Sequence, residues 1–173
     1  KKADVVMVGA PYPPRISAAF ALEALVKQGR HIVVIGEGWK GRAPEGIAVI
    51  NENISGEDYA SWCASSKITL IVNRHGEAQT PARGFIEAYA GGCLLMQMDR
   101  SKISRYFTDR VDCVGWESFG DMVRQAEGLL ESSERRQCLA NFAWQRAQRY
   151  TYEARLTRLF MLTRGYRDHD EVM

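Results

Sequence analysis

The sequence has few cysteines, and none stands in a pattern typical of a metal site. Neither a Cys-x-x-Cys pair nor a cysteine and histidine at ligand spacing occurs, which argues against zinc modules and disulfide scaffolds. The simplest expectation is that the chain is cytoplasmic and that its four thiols are reduced and buried: Cys63, Cys93, Cys113 and Cys138.

Long apolar runs are also absent. No stretch approaches the roughly 20 residues of a membrane span, and no signal peptide opens the chain. The net charge is only +2, from 23 basic and 21 acidic residues, so charge does not support nucleic-acid binding. The chain reaches a strand-like run almost at once, and we therefore expect it to be part of a longer protein.

Short apolar and β-branched runs alternate with helical patterns through the first two thirds of the chain. Such runs predict buried strands at residues 5–8, 31–35, 47–50, 68–72, 93–98 and 112–115. Helices are predicted between them, with a non-helical, proline-rich connector at 10–15, and from residue 118 onward the pattern is helical only. The alternation predicts a three-layer α/β domain with a mainly parallel sheet of about six strands and a helical C-terminal arm. We place the domain at residues 1–150 and a terminal helix and tail at 151–173.

The chain is organised around residues 73–97, NRHGEAQTPARGFIEAYAGGCLLMQ. Pro81 suits the first turn of a short helix, and the paired glycines Gly91 and Gly92 suit its end. The start of such a helix attracts anions through its unpaired amides and its dipole. The groups predicted to lie there are Thr80, Arg83 and the amides of Gly84 and Phe85.

Glu87 follows one turn further along the same helix. A carboxylate in a segment otherwise suited to burial needs a partner, and ligand hydroxyls or backbone amides could each supply one. Together with the anion site at the helix start, this pattern predicts a pocket for a phosphorylated, hydroxyl-rich ligand.

Other loops are expected at the same edge of the sheet, because ligands of open α/β sheets bind beyond the carboxyl ends of the strands. Gly9 allows close approach to a ligand, and Arg15 could contact a diphosphate, although the loop could equally be a stiff connector. Trp39 could stack on a base or sugar, or plug its loop to the core. Arg74 and His75 could stabilise a leaving diphosphate, or form a solvated loop pair.

The order of these motifs resembles a known family. GAPYPPR after the first strand, IGEGW after the second, SKITLIVNR, TPARGFIEAYAGGCLLM and a final YTYEARL are similar to the C-terminal half of GT-B glycosyltransferases, in particular the CgeB-like or glycosyltransferase group 1 proteins. The resemblance extends over residues 3–162, and residues 80–96 are its most specific part.

The resemblance implies a Rossmann-like donor domain that binds a nucleotide-diphosphate sugar as substrate and needs neither a metal nor another cofactor. By this resemblance Glu87 holds the ribose hydroxyls, residues 80–85 face the diphosphate and sugar, 9–15 close over the phosphates, and 51–54 lie near the base. Many relatives carry a second glutamate eight positions earlier, where this sequence has Gln79. The acceptor would be held by an N-terminal domain of the same protein.

Two other functions remain open from the sequence. One is a non-catalytic interaction domain that keeps the glycosyltransferase fold, in which side chains would fill the pocket around Arg83 and Glu87. The other is a different nucleotide or sugar-phosphate enzyme on a similar sheet, which would need a general base, and His75 is the histidine best placed to be one.

Overall fold

The computed structural model describes residues 2–73, 82–97 and 106–164, with residues 82 and 83 described by their backbone alone. Six strands form one sheet: β1 (Val5–Val8), β2 (Ile32–Ile35), β3 (Ala48–Ile50), β4 (Ile68–Ile71), β5 (Leu94–Gln97) and β6 (Val114–Trp116). Their order across the sheet is β3-β2-β1-β4-β5-β6, and every neighbouring pair is parallel. The predicted α/β fold class and its strand count are confirmed.

Helices connect the strands and form the C-terminal arm. The described helices are α1 (Pro13–Ala21), α2 (Glu23–Lys27), α3 (Gly56–Ser65), α4 (Ala82–Tyr89), α5 (Phe119–Glu131), α6 (Ser133–Gln148) and α7 (Tyr152–Thr163). Serine side chains cap two of them, since Ser118 accepts from the amide of Asp121 and Ser132 from that of Arg135. The helix predicted at 101–107 lies mostly outside the described residues.

Two predictions about the first helix are wrong. The connector at 10–15 was expected to be non-helical, yet α1 begins at Pro13. Proline is accepted in a first helical turn because its missing N–H has no acceptor to lose there. The single helix expected over 16–28 is instead two, separated at Leu22.

The strands of the sheet centre are buried on both faces. All residues of β1, β2 and β4 are buried, as the continuous apolar runs predict for a covered parallel sheet. On one face α1, α2 and α5 cover a core that contains Met7, Leu22 and Trp116. A second core lies between α4 and α6 and holds Ile71, Phe85 and other residues of the site described below.

Three of the four thiols are buried as expected, at Cys63, Cys93 and Cys113. Cys138 is the exception, because it is exposed on α6. No helix among the described residues has both the length and the apolar character required to cross a membrane.

Candidate functional site

The candidate site lies where the chain leaves β1 and β4 in opposite directions. These strands are neighbours in the sheet, but β1 leads to β2 on one side while β4 leads to β5 on the other. Such a reversal opens a crevice between the two loops, which is where ligands bind in doubly wound sheets. Among the described residues, the loop after β1 and the two residues that follow β4, Val72 and Asn73, lie at this point of the sheet.

The loop after β1 rests directly on the turn after β2. The amide of Gly9 donates to the carbonyl of Ile35 at 2.6 Å. A Cβ atom on Gly36 would lie 2.6 Å from the carbonyl carbon of Gly9, and Gly36 has a φ of +148°. The two backbones can therefore meet only because a glycine stands at this point.

Trp39 connects the turn after β2 with the loop after β1. It is 0% exposed and belongs to the core, and its indole Nε1 donates to the carbonyl of Gly9 at 2.8 Å. A fully buried ring has no face on which a base or sugar could stack. Of the two roles that the sequence left open, the structure favours an aromatic plug that fixes the loop after β1.

Replacing Gly36 with alanine is expected to lower the free energy of unfolding by about 2–4 kcal/mol, since it adds overpacking to a strained backbone. Gly41 is a matched control, because it has a φ of +74° but no atom within 4 Å of the place that a Cβ would occupy, so its alanine variant should lose only about 1 kcal/mol. Urea unfolding of both variants measures the difference. Equal losses would show that the contact between the loops contributes nothing.

Tyr12 and Arg15 shape the β1 side of the crevice. The Tyr12 hydroxyl donates to the carbonyl of Val72 and so bridges the ends of β1 and β4. The Arg15 Nη1 donates to the carbonyl of Ala10 at 3.1 Å, and its guanidinium lies 4.5 Å from the centre of the Tyr12 ring. Arg15 is thus folded against the loop in the first turn of α1, with 9% of its surface exposed.

Gly84 and Phe85 stand in the first turn of α4, as the sequence predicts, but they also pack the helix against the sheet. A Cβ on Gly84 would lie 3.1 Å from both Met96 Cε and Phe107 Cε2. The Phe85 ring stacks on those of Tyr150 and Phe107, with centroid distances of 4.2 and 4.9 Å. Only their backbone amides could therefore serve a ligand. The helix ends as predicted at the glycine pair, where the amides of Gly91 and Gly92 donate to Ala88 and Glu87 carbonyls.

Glu87 lies on the face of α4 that meets α3. It is 0% exposed, and its Oε1 accepts a hydrogen bond from the Tyr59 hydroxyl at 2.5 Å. Sequence reasoning missed Tyr59. The two residues are 28 positions apart, and no motif links a tyrosine in α3 to a carboxylate in α4, so only the packing of the helices could reveal the pair.

The remaining predicted site groups fall outside the described residues. They are Arg74, His75, Gln79, Thr80 and the side chain of Arg83. Their assignments stay predictions. In the part of the chain that is described, no three histidine, cysteine, aspartate or glutamate side chains are grouped so that they could hold a metal ion.

A buried ion pair supports the site from the C-terminal side. Asp112 is 1% exposed and pairs with Arg146 of α6, and its Oδ1 accepts from the amide of Thr108 at 2.7 Å. Burial raises the pKa of the Asp112 carboxyl, although the Thr108 amide and the Arg146 guanidinium oppose the change. The pair holds α6 against the turn next to Phe107, and so against the aromatic side chains beneath α4.

Comparison with known proteins agrees with this architecture. The model of the glycosyl transferase-like family matches residues 15–161. No curated protein sequence is significantly similar to the chain.

Several solved structures share the fold. The structure of HepE from Anabaena with UDP-glucose matches with a TM-score of 0.71 and 9% identity, over 94% of this chain and 49% of that protein. A TarM mutant from S. aureus with UDP and α-GlcNAc-glycerol matches with a TM-score of 0.70 and 14% identity, over 94% of this chain and 36% of that one. The C-terminal domain of a glycosyl transferase group 1 family protein (LpcC) from Francisella tularensis matches with a TM-score of 0.63 and 14% identity, over 86% of each chain. The chain thus spans only about a third to a half of the longer proteins but most of the isolated C-terminal domain.

Proposed function

The chain belongs to the glycosyl transferase-like family, and we propose that it is the donor-binding half of a GT-B glycosyltransferase. It would bind a nucleotide-diphosphate sugar, and the enzyme would transfer the sugar to an acceptor hydroxyl with release of the nucleoside diphosphate. The observation that carries the proposal is the reversal of strand order between β1 and β4, with a glycine loop after β1 and the start of α4 as the next described helix after β4. This is the arrangement that binds diphosphates in doubly wound sheets.

We assign each part of the nucleotide to a different loop at this edge of the sheet. The loop at Gly9 and Arg15 suits the diphosphate, and the first turn of α4 offers amides for the same group. Glu87 suits the ribose hydroxyls. The loop after β3 suits the base and is tied to its neighbour, because Asn51 Oδ1 accepts from the amide of Lys40 at 3.0 Å. Complexes of HepE with UDP-glucose and of TarM with UDP are consistent with a nucleotide-sugar ligand.

The C-terminal helix supports a partner domain. No residue of α7 is buried within the described chain, and its apolar side chains are at least half exposed at Tyr152, Leu156, Leu159, Phe160, Met161 and Leu162. Exposed apolar surface of this kind marks an interface. We assign it to the N-terminal acceptor domain of the same protein, in keeping with a chain that spans 49% of HepE.

Three narrower features also belong to the proposal. The leaving diphosphate would be stabilised by the α4 dipole and by basic side chains rather than by a metal ion. The subgroup would be CgeB-like, from the motifs of residues 80–96. The buried thiols at Cys63, Cys93 and Cys113 suit a reducing cytoplasmic location.

One observation favours the alternative of a non-catalytic interaction domain. Glu87 is fully buried and in contact with the Tyr59 hydroxyl, as it would be if side chains had filled an ancestral pocket. Titration calorimetry separates the two functions.

UDP, GDP and their glucose and mannose conjugates are titrated into the chain, with UMP and GMP as controls that lack the second phosphate. The proposal predicts a dissociation constant of about 1 μM to 1 mM for one diphosphate, and weaker binding of its monophosphate. If no nucleotide binds, the donor-binding assignment is wrong and the interaction domain is favoured.

A further inference from the structure

The packing of α3 fixes the position of Tyr59. Its ring is partly buried and packs against a cluster of strand residues, Val6, Val8, Val33 and Ile35, together with Ala3. Apart from Ala3, which precedes β1, these residues line one face of the neighbouring strands β1 and β2. The position of the Tyr59 hydroxyl is therefore restricted by the sheet, because an aromatic side chain has only two rotatable angles and its ring packs against the strand residues.

The Tyr59 hydroxyl reaches the carboxylate of another helix. It donates to Glu87 Oε1 at 2.5 Å, and α3 and α4 are in contact. α3 follows the loop after β3, and α4 follows the segment after β4. The bond thus connects α3, which follows the proposed base-binding loop, with α4, which carries the proposed ribose-binding residue.

The chemistry of this bond determines the orientation of the carboxylate. A carboxylate has two oxygens with about four lone-pair positions, and a hydroxyl donor on one oxygen restricts the rotation of the group. Charge-assisted bonds of this kind are roughly twice as strong as neutral ones. A buried carboxylate also needs such a donor, because burial of a polar group without a hydrogen bond is costly.

We propose that Tyr59 is a positioning residue that orients the Glu87 carboxylate for the vicinal hydroxyls of a ribose. The inference rests on the proposed function and adds to it a residue on which recognition of the nucleotide's ribose depends. Tyr59 itself acts through Glu87. Its contribution is therefore to discrimination between ribose and deoxyribose, because only a ribose offers both hydroxyl groups to one carboxylate.

The test compares ribose discrimination in the wild-type chain and the Tyr59→Phe variant. UDP and its 2′-deoxy analogue are titrated by calorimetry, with GDP and 2′-deoxy-GDP in parallel. The phenylalanine variant keeps the ring that packs on the sheet and removes only the hydroxyl. Tyr152→Phe is the matched control, since Tyr152 is 88% exposed on α7.

The wild-type chain is expected to prefer the ribose form. Tyr59→Phe should weaken binding of the ribose diphosphate by about tenfold, as for loss of one charge-assisted bond, and should bind the deoxy form almost as the wild type does. The ratio of the dissociation constants of the deoxy and ribose forms then falls toward one in Tyr59→Phe. The same ratio should be unchanged in Tyr152→Phe. In a Glu87→Gln background, the additional effect of Tyr59→Phe should be less than about threefold, because the two residues act as one unit.

Other outcomes overturn the inference. If Tyr59→Phe leaves the ribose preference unchanged, or weakens both forms equally along with a lower melting temperature, Tyr59 has a structural role only and the donor-binding function stands. If the wild-type chain binds none of the four diphosphates, the proposed function and the inference both fail.

Discussion

Replacing Glu87 with alanine is expected to weaken binding of the nucleoside diphosphate by about a hundredfold. Two ribose hydroxyls bound to one carboxylate each contribute about 1.5 kcal/mol or more, and 1.4 kcal/mol corresponds to a factor of ten. Glu87→Gln retains the shape and one acceptor oxygen, so its loss should be intermediate, about tenfold. Calorimetric titration of both variants with UDP and GDP measures the series.

Controls separate loss of the ligand contact from loss of the fold. Glu87 is buried, so its alanine variant also leaves a cavity and is expected to melt at a lower temperature. The glutamine variant avoids the cavity. Glu134→Gln makes the same charge change on the exposed face of α6 and should bind like the wild type. Binding that is unchanged in both Glu87 variants contradicts the ribose assignment.

Replacing Arg146 with methionine is expected to lower the free energy of unfolding by about 3 kcal/mol. The substitution keeps an apolar stem of similar length but leaves the carboxylate of Asp112 buried without its cation, for which losses of about 3–5 kcal/mol are usual. The lower figure applies because the Arg146 side chain is 33% exposed, so in the variant water can partly take the place of the guanidinium beside Asp112. For a chain of this size the melting temperature should fall by about 6–12 °C.

The deficit of Arg146→Met should depend on pH. Burial already raises the pKa of Asp112, and removal of the guanidinium raises it further. Since the folded state then binds the proton more tightly than the unfolded state, stability is highest below the pKa and falls as pH rises through it. The difference in the free energy of unfolding between wild type and Arg146→Met should therefore be small near about pH 4 and reach its full size near about pH 7.

Two control variants complete this experiment. Arg149→Met removes an exposed arginine one residue beyond α6 and should change stability little. Arg146→Met combined with Asp112→Asn removes both charges and should recover a large part of the loss. A pH-independent deficit, or no recovery in the double variant, would show that the contribution of Arg146 is packing rather than charge.

The strands and the end of α4 could be predicted from the sequence because they depend on local chemistry. Short apolar and β-branched runs predicted each strand of the sheet within two residues at either end, and the glycine pair after Tyr89 predicted the end of α4. The proline-rich connector was predicted less well. Pro13 breaks a helix interior but suits a first turn, and the sequence pattern does not distinguish the two positions.

The roles of individual site residues could not be predicted in the same way. Trp39 was a candidate for stacking on a ligand and is a fully buried plug. The amides of Gly84 and Phe85 were candidates for the anion site, and that role stays a prediction. Only the structure shows that a side chain at Gly84 would meet Phe107 and that the Phe85 ring joins an aromatic stack. Each outcome depends on atoms that are distant in the sequence and close in space.

By itself the sequence determined the fold class, the family and the edge of the sheet at which a ligand is expected. Apolar periodicity, proline and glycine act over a few residues, and their effects add along the chain. Only the tertiary structure decided that the Tyr59 hydroxyl meets Glu87 and that Gly36 lets two loops touch. The physical reason is that such contacts arise from the packing of α3 on α4 and of one loop on another, which no local pattern encodes.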